Sequence, residues 1–339
     1  MENYEHTLGD SAELYLFCQD KDKDKFNLKK TKIIGYTSRN SLVFFELRRF
    51  LRKNNIDIVV NFTGSGTTDM MIVLSTFLKE TNIITHNHGN FFWPKNILFK
   101  RKFFRFGFRV NLEHSILFLT QFFTYRFLFS SKDITKKLER FFFISKKKIF
   151  YLPSIIDTAF FKKKNKSVCR KKLGLKKKDK IIIYVGRLTY LKGADTLFKI
   201  IENNPNIKFL LVGSEKPSYD QGFKNIVYVS GATGKKLVDY YNSADLFLFL
   251  SRTEGNAFVP REAMSCEVSA IVSNIESLRL LNPAIKVPRD VKTIQKNIEK
   301  FFQFSEKRRK KIGRECRRFI EKFYSEKNLK PSFKKYFLE

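Results

Sequence analysis

Two glutamates, Glu254 and Glu262, stand in the stretch of this sequence that is best suited to chemistry. They belong to Ser251–Met264, SRTEGNAFVPREAM, which follows the apolar run 245–250. That run is short and β-rich, which predicts a buried strand. Pro260 suits the first turn of a helix, because no N–H is needed there. Ligands bind at the carboxyl ends of strands in open α/β sheets, so the pattern predicts both carboxylates at a ligand site.

A simpler interpretation of the two glutamates stays open. Glu262 could complement the helix dipole, and Glu254 could be a solvated turn residue. The predicted helix start between them also offers free N–H groups and a partial positive charge, which suit a phosphate. The residue types alone leave the two interpretations about equally favoured.

A second constellation follows another predicted buried strand, Ile181–Val185. The chain continues as GRLTYLKG, with Arg187 and Lys192 five residues apart. Arginine supplies a planar fork and lysine a compact charge, and the two together suit a diphosphate at a strand-to-helix turn. The alternative is a pair of solvated surface cations.

These motifs carry a family resemblance. Glutamate, seven residues and glutamate, in a strand–EG–loop–EAM context, resembles the signature of retaining glycosyltransferases of family 4, and GRLTYLKG is similar to their donor-phosphate motif. The resemblance implies an α/β chain with the GT-B fold: two Rossmann-like, doubly wound parallel-sheet domains and a C-terminal helix crossing back to the first. It also implies a UDP- or GDP-sugar as the donor substrate, with no cofactor and no metal.

The resemblance further implies roles for single residues. Glu254 would lie against the donor sugar hydroxyls, and Glu262 would accept hydrogen bonds from the ribose; a carboxylate can accept from two vicinal hydroxyls. The other expected donor-site residues are glycines at strand ends, where the backbone approaches a ligand, and the residues after Glu254. They are Gly186, Gly213, Gly231, Gly255, Asn256, Ala257 and Phe258.

A histidine is expected in the same site. The family carries His-Gly or His-Asp at the end of the fourth strand, and His88 before Gly89 matches best, with His86 as the rival. The implied role is to bond the donor sugar or to shape the acceptor site. A structural histidine is the alternative.

The rest of the chain alternates predicted strands and helices, which indicates parallel sheets. The predicted domains are residues 1–160 on the acceptor side, 161–320 for the nucleotide sugar, and 321–339 as the returning helix. The run 162–180 is expected to be a solvated basic linker. A first strand with a Gly-rich loop is missing at the start, so we expect a truncated amino end or a misplaced start, which puts activity of this chain in doubt.

One turn departs from the family pattern. The family usually has Ala-Cys-Gly-x-Pro after the second glutamate, whereas this chain has Ser265-Cys266-Glu267-Val268-Ser269. The chain thereby loses both the glycine and the proline. We expect a looser turn that touches none of the proposed ligand contacts.

The composition indicates which chemical classes of partner the protein could bind. The 339 residues hold 66 Lys and Arg against 33 Asp and Glu, a formal charge of +33, which favours polyanionic partners. An AT-rich genome would also enrich lysine. The four cysteines have no paired spacing, which argues against a zinc site or a disulfide framework and fits the cytoplasm.

Membrane segments are not predicted. No signal peptide is visible, and the best candidate span, 116–129, is shorter than the ~20 apolar residues that a spanning helix needs. We interpret it as a core helix.

The stretch Phe91–Arg109 mixes aromatic and basic residues. This mixture suits docking on an anionic membrane surface, where rings enter the headgroup boundary. Single-stranded nucleic acid could stack on the same rings, and a core helix with a basic face is the third interpretation. We favour the membrane.

The sequence thus predicts a retaining glycosyltransferase at the cytoplasmic membrane face, acting on a lipid-linked or cell-surface glycan. One alternative is a catalytically impaired relative. The other is a basic nucleic-acid-binding protein, which the charge alone favours and which leaves the two motifs unexplained. Nucleic acid is therefore not among the expected partners.

Overall fold

The computed structural model describes residues 2–19, 28–36, 42–61, 66–76, 81–87, 119, 122–130, 145–213 and 222–339. The chain forms two compact units, one of residues 1–153 with 329–339 and one of residues 154–328. Every pairing between strands in the described part is parallel, which confirms the predicted α/β class.

The first unit contains two parallel sheets and helices from both ends of the chain. Its strands are β1 (Leu14–Gln19), β2 (Thr31–Tyr36), β3 (Ile58–Asn61), β4 (Asn82–Asn87), β5 (Thr124–Phe129) and β6 (Ile149–Tyr151). Its amino-terminal helices are α1 (Glu2–Leu8), α2 (Leu42–Lys53) and α3 (Gly66–Thr76). One sheet pairs β1 with β2, and the other has the order β3-β4-β5-β6.

The second unit is built on one six-stranded sheet. Its strands are β7 (Ile181–Val185), β8 (Lys208–Val212), β9 (Ile226–Val229), β10 (Leu246–Phe249), β11 (Ser269–Ser273) and β12 (Ile285–Val287). Its helices are α4 (Lys166–Lys172), α5 (Ala194–Glu202), α6 (Gly234–Ser243), α7 (Phe258–Ser265), α8 (Val291–Gln303) and α9 (Glu306–Tyr324). The last helix, α10 (Glu326–Leu338), belongs mostly to the first unit.

The six strands lie in the order β12-β11-β10-β7-β8-β9, which is doubly wound. Every residue of β7 and β10 is buried. Successive side chains of a strand point to opposite faces, so Ile181 and Ile183 join one apolar cluster while Ile182 and Tyr184 join the other. Both faces of the sheet are therefore covered, as the apolar runs predict.

The prediction of a core helix over 116–129 is wrong at its described end. Residues 124–129 form β5, with Tyr125 exposed and Phe127, Leu128 and Phe129 buried. A short apolar run does not distinguish a buried strand from a buried helix by periodicity alone. In the strand, Arg126 donates to the carbonyl oxygens of Lys335 and Tyr336 at 3.0 and 2.7 Å, and these are end carbonyls of α10.

The prediction of a solvated linker over 162–180 is also wrong. Residues in this run form α4, whose Arg170 is 4% exposed. The Arg170 guanidinium donates to the Asp245 carboxylate at 2.9 Å and to the carbonyl oxygen of Ser243 at 2.9 Å. The many lysines in this run favoured a solvated surface. The run also contains a buried arginine, Arg170, whose hydrogen bonds join α4 to the residues just before β10.

The turn after α7 stores backbone strain. Glu267 has a φ of +62°, a left-handed conformation that side chains other than glycine rarely adopt. Its carbonyl oxygen faces Gly313 of α9, where an added Cβ would lie 2.2 Å away. The family usually has a glycine at position 267, and a glycine would adopt this conformation with less strain than Glu267 does.

Candidate active site

The candidate site lies at the carboxyl edge of the six-stranded sheet, where β7 and β10 are neighbours. Leu246 and Phe247 of β10 pair with Ile182 and Ile183 of β7. The chain winds from β7 toward β9 on one side and from β10 toward β12 on the other. Connections that diverge in this way leave a crevice outside the strand ends. The loops after β7 and β10 both begin there.

Lys192 and Glu254 meet between these two loops. The Lys192 Nζ lies 2.5 Å from the Glu254 Oε1, and the Ser251 hydroxyl donates to the same oxygen at 2.5 Å. Among the residues that the structure describes, the other oxygen, Oε2, accepts no hydrogen bond. Glu254 is therefore a covered carboxylate, 9% exposed, with one oxygen left for a hydroxyl donor.

Gly193 sets the position of this lysine. Its φ of 78° and ψ of 26° are left-handed. A Cβ added there would lie 2.2 Å from the carbonyl oxygen of Leu250. Glycine meets both requirements at once, so the turn that carries Lys192 packs directly on the end of β10.

Arg187 lies on the same connection as Lys192. Its side chain is exposed and, within the described ranges, its guanidinium makes no hydrogen bond or ion pair. Its backbone is anchored, because the buried Tyr184 hydroxyl donates to the Arg187 carbonyl oxygen at 2.8 Å. The preceding Gly186, with φ of +143°, donates its N–H to Val212 at 2.9 Å. An uncommitted arginine on a fixed backbone can bind an anion.

Glu262 has different surroundings from Glu254. It lies on α7, where its Oε2 accepts a hydrogen bond from the Tyr241 hydroxyl at 2.8 Å. Burial raises the pKa of Glu262 above its ordinary value, and the tyrosine donor opposes that shift. Burial also raises the pKa of Tyr241 far above its ordinary value, so the phenol stays a neutral donor. The Glu262 carboxyl is thus held in place by a neutral group.

The remaining predicted donor residues fall into two groups. Gly213 and Gly231 have positive φ at the ends of β8 and β9, at 90° and 135°, and both are exposed. Gly255 lies in the turn after Glu254. These glycines leave backbone accessible along the same sheet edge.

Three residues before and within the start of α7 face protein. The Asn256 amide donates to the Ser154 hydroxyl and accepts from Arg261 Nη1 at 2.7 Å. Ala257 is buried in an apolar cluster, and Phe258 packs partly against it. The structure therefore shows Asn256 hydrogen-bonded to two other side chains, and Ala257 and Phe258 in apolar packing. Their role as contacts to the donor substrate stays a prediction.

The predicted histidine and the predicted membrane segment, His88 and Phe91–Arg109, lie outside the described residues. The rival histidine, His86 on β4, is fully buried. Its Nδ1 is hydrogen-bonded to the Tyr4 hydroxyl, and its ring lies 6.4 Å from that of Phe337. His86 therefore has a structural setting in the first unit.

Sequence reasoning missed several neighbours of the site. Ser251 and Arg252 are polar residues directly after a predicted strand, which is a usable signal for a ligand edge. Tyr241 and Asp195 lie on helices far away in the sequence, and nothing in one sequence indicates that they contact Glu262 and Arg252. Only the folded sheet brings them together.

No group of three or more His, Cys, Asp or Glu side chains in the described part of the chain could hold a metal ion. In the same part, no helix is long and apolar enough to span a bilayer.

Comparison with known proteins supplies a family match. Residues 165–319 match the model of the family "Glycosyl transferases group 1". An uncharacterized glycosyltransferase of Methanocaldococcus jannaschii is 32% identical over 121 residues, which are 32% of this chain and 31% of that protein. The chain thus spans about a third of the length of the curated relatives it matches.

Solved structures resemble almost the whole chain. Sucrose-phosphate synthase from Thermosynechococcus elongatus has a TM-score of 0.80 at 16% identity, over 99% of this chain and 90% of that one. Anabaena HepE, crystallised with UDP and glucose, has a TM-score of 0.71 at 12% identity, over 90% and 85%. The chain therefore has the GT-B fold and carries, over residues 165–319, a domain that matches the glycosyl transferases group 1 family.

Proposed function

We propose that this protein is a retaining glycosyltransferase of the family 4 type, which moves a sugar from a nucleotide-diphosphate sugar to a glycan or lipid-linked acceptor. The observation that carries the proposal is the Lys192–Glu254 pair beside Arg187, in the domain that matches the family. It combines cations for a diphosphate with a carboxylate for sugar hydroxyls at one strand-end crevice. The UDP and glucose bound by HepE support a nucleotide-sugar donor.

In the proposed complex the donor diphosphate binds Arg187 and Lys192. The bond from the sugar C1 to the diphosphate oxygen breaks, and its electron pair stays on the diphosphate. A hydroxyl oxygen of the acceptor forms the new bond to C1, and the proton of that hydroxyl passes to the departing diphosphate oxygen. Cations placed where this charge develops stabilise the transition state, commonly by several kcal/mol in water-excluded sites. The proposal needs no resident metal or cofactor, since these two side chains supply the positive charge.

The two glutamates take different parts of the donor. Glu254 accepts from the sugar hydroxyls through its Oε2, while Lys192 and Ser251 hold its Oε1. Glu262 accepts from the ribose hydroxyls and is oriented by Tyr241. His88 is proposed to contact the same sugar or the acceptor.

The acceptor side of the proposal depends on the basic aromatic segment. We place the enzyme at the cytoplasmic face of the membrane, with Phe91–Arg109 docked on anionic lipid. Anionic vesicles should bind the protein and neutral ones should not, with a salt-resistant part contributed by the rings. If salt abolished all vesicle binding, the proposal that the aromatic rings contribute to it would be wrong.

Titration of UDP and GDP into two matched variants tests the donor site. Lys192 and Lys208 have side chains of nearly equal exposure, 28% and 29%, and each forms one ion pair, with Glu254 and Asp179 respectively. Lys192→Ala should weaken the binding of nucleoside diphosphate by at least about tenfold, because a charge-assisted hydrogen bond is lost. Lys208→Ala, at the amino end of β8, should bind like the parent.

Equal affinities of both variants and the parent for either nucleotide would remove the donor-site assignment. A panel of nucleotide sugars, followed by product analysis at the anomeric carbon, then identifies the sugar and the stereochemistry. Inversion of configuration would contradict the proposed retaining mechanism. Nucleotide binding without any turnover would favour a catalytically impaired relative.

A further inference from the structure

Arg252, in the loop after β10, contacts residues of the connection after β7 and so joins the two loops of the candidate site. Its Nη1 and Nη2 donate to the two carboxylate oxygens of Asp195, each at 2.7 Å. Nη1 also donates to the carbonyl oxygen of Tyr190, and the guanidinium lies 3.7 Å from the centre of the Tyr190 ring. The backbone N–H of Arg252 donates to the Leu191 carbonyl oxygen at 2.9 Å.

These contacts bracket Lys192 in the sequence. Tyr190 and Leu191 precede it, Asp195 follows it, and Arg252 lies two residues before Glu254. We call this set of contacts the Arg252 clamp. It ties the loop after β10 to the turn after β7 at points on both sides of the lysine. The clamp therefore anchors the backbone on both sides of the lysine that pairs with Glu254.

The guanidinium of Arg252 is committed to protein. Both hydrogens of Nη1 are used, by Asp195 and by Tyr190. A planar fork that also stacks on a ring has a defined orientation, which a lysine ammonium does not reproduce. The hydrogen bonds from Arg252 lower the pKa of Asp195, so its carboxylate, which is 46% exposed, is charged at neutral pH.

We propose that Arg252 and Asp195 are positioning residues, which hold the 190–195 turn against the 251–254 loop so that Lys192 and Glu254 keep the geometry that binds the donor. This inference rests on the proposed function, because the geometry matters only if that pair meets a nucleotide sugar. Neither residue touches substrate. Their effect on binding passes through Lys192.

Hydrogen–deuterium exchange tests the positioning directly and needs no ligand. Asp195→Asn and Arg252→Lys should both speed amide exchange in residues 189–196 by about tenfold, because the turn opens locally. Asp239→Asn is the matched control, since it changes the same group in the Lys164–Asp239 ion pair on α6. The control should leave exchange in 189–196 unchanged. Unchanged exchange in both clamp variants would overturn the proposal.

A double-mutant cycle with UDP tests the path through Lys192. Asp195→Asn should weaken UDP binding by about threefold to tenfold when it is introduced into the parent protein. The same substitution should have almost no effect on UDP binding in the Lys192→Ala background. Equal losses in the two backgrounds would contradict a role through the lysine. If the parent binds neither UDP nor GDP, the proposed function fails, and the exchange result still decides whether the clamp holds the turn.

Discussion

Glu254 and Glu262 lie close in the sequence, yet their carboxylates have opposite surroundings. Glu254 is paired with a cation, Lys192, and with the Ser251 hydroxyl. Glu262 is buried beside a neutral phenol and its pKa is raised. A buried carboxylate without a cation destabilises the fold, whereas a paired one is compensated. The comparison indicates that Glu254 is fixed by charge and that Glu262 is kept at a cost to stability.

The largest effect is expected from Glu254→Gln. Turnover should fall by about 100-fold to 1000-fold, as on removal of one group that stabilises a transition state. Nucleoside diphosphate should bind as tightly as to the parent or more tightly, because Lys192 loses its competing partner. The measurements are kcat with the sugar donor and Kd for the nucleoside diphosphate. A large loss of diphosphate affinity with normal kcat would reverse the proposed roles.

Glu262→Gln should weaken nucleoside diphosphate by about tenfold, because a charged acceptor for the ribose is lost. The same variant should gain thermal stability at neutral pH. Since the pKa of Glu262 is raised by folding, the folded protein holds this proton more tightly, and stability falls as the pH rises from 4.5 toward the raised value.

The stability gain should therefore be absent at about pH 4 and present at about pH 7. Calorimetry of parent and variant at both pH values measures it. An advantage that is equal at the two pH values would show that the carboxyl group is not the cause.

Tyr241→Phe should destabilise the protein by about 1 to 2 kcal/mol, because a buried carboxyl loses its donor. The tyrosine hydroxyl lowers the pKa of Glu262, so its removal raises that pKa further. The destabilisation should then be greater at pH 7 than at pH 4, since the charged form needs the donor most. Tyr240→Phe is the neighbouring control, and denaturant melts at the two pH values provide the measurement. No pH dependence would separate Tyr241 from Glu262.

The smallest effect concerns the end of the helix that carries Glu262. Glu267→Gly should stabilise the protein by about 1 kcal/mol, because glycine adopts the left-handed conformation without strain. Glu267→Ala keeps the strain and should give no gain. Thermal melts compare the three proteins, and nucleotide affinity should be the same in all of them if the turn only ends the helix.

The sequence predicted the parts of the fold whose pattern is local. The buried runs at β7 and β10 and the GRLTYLKG turn each have a periodicity or spacing that one segment defines. The strand β5 was misread because a short apolar run fits two structures. The run containing Arg170 was misread because burial of one cation depends on Asp245, far along the chain.

The same distinction between local patterns and long-range contacts applies to the candidate site. Residue types at strand ends made Arg187, Lys192, Glu254 and Glu262 candidates for ligand binding, and the family resemblance favoured that interpretation over a structural one. The sequence did not indicate that Lys192 contacts Glu254, or that Tyr241 contacts Glu262, because each pair joins loops or helices that only the sheet order brings together. The resemblance named roles, and the structure supplied the charges that distinguish them.

The sheet order has a consequence for how the second unit folds. Ile182 pairs with Phe209 across one edge of β7 and with Leu246 across the other. The second pairing closes the longer stretch of chain by far, and long-range closure slows folding. The seam between β7 and β10 should therefore form late, and both candidate loops start at that seam. A nucleotide that binds there stabilises only the completed domain, so its binding reports that folding has finished.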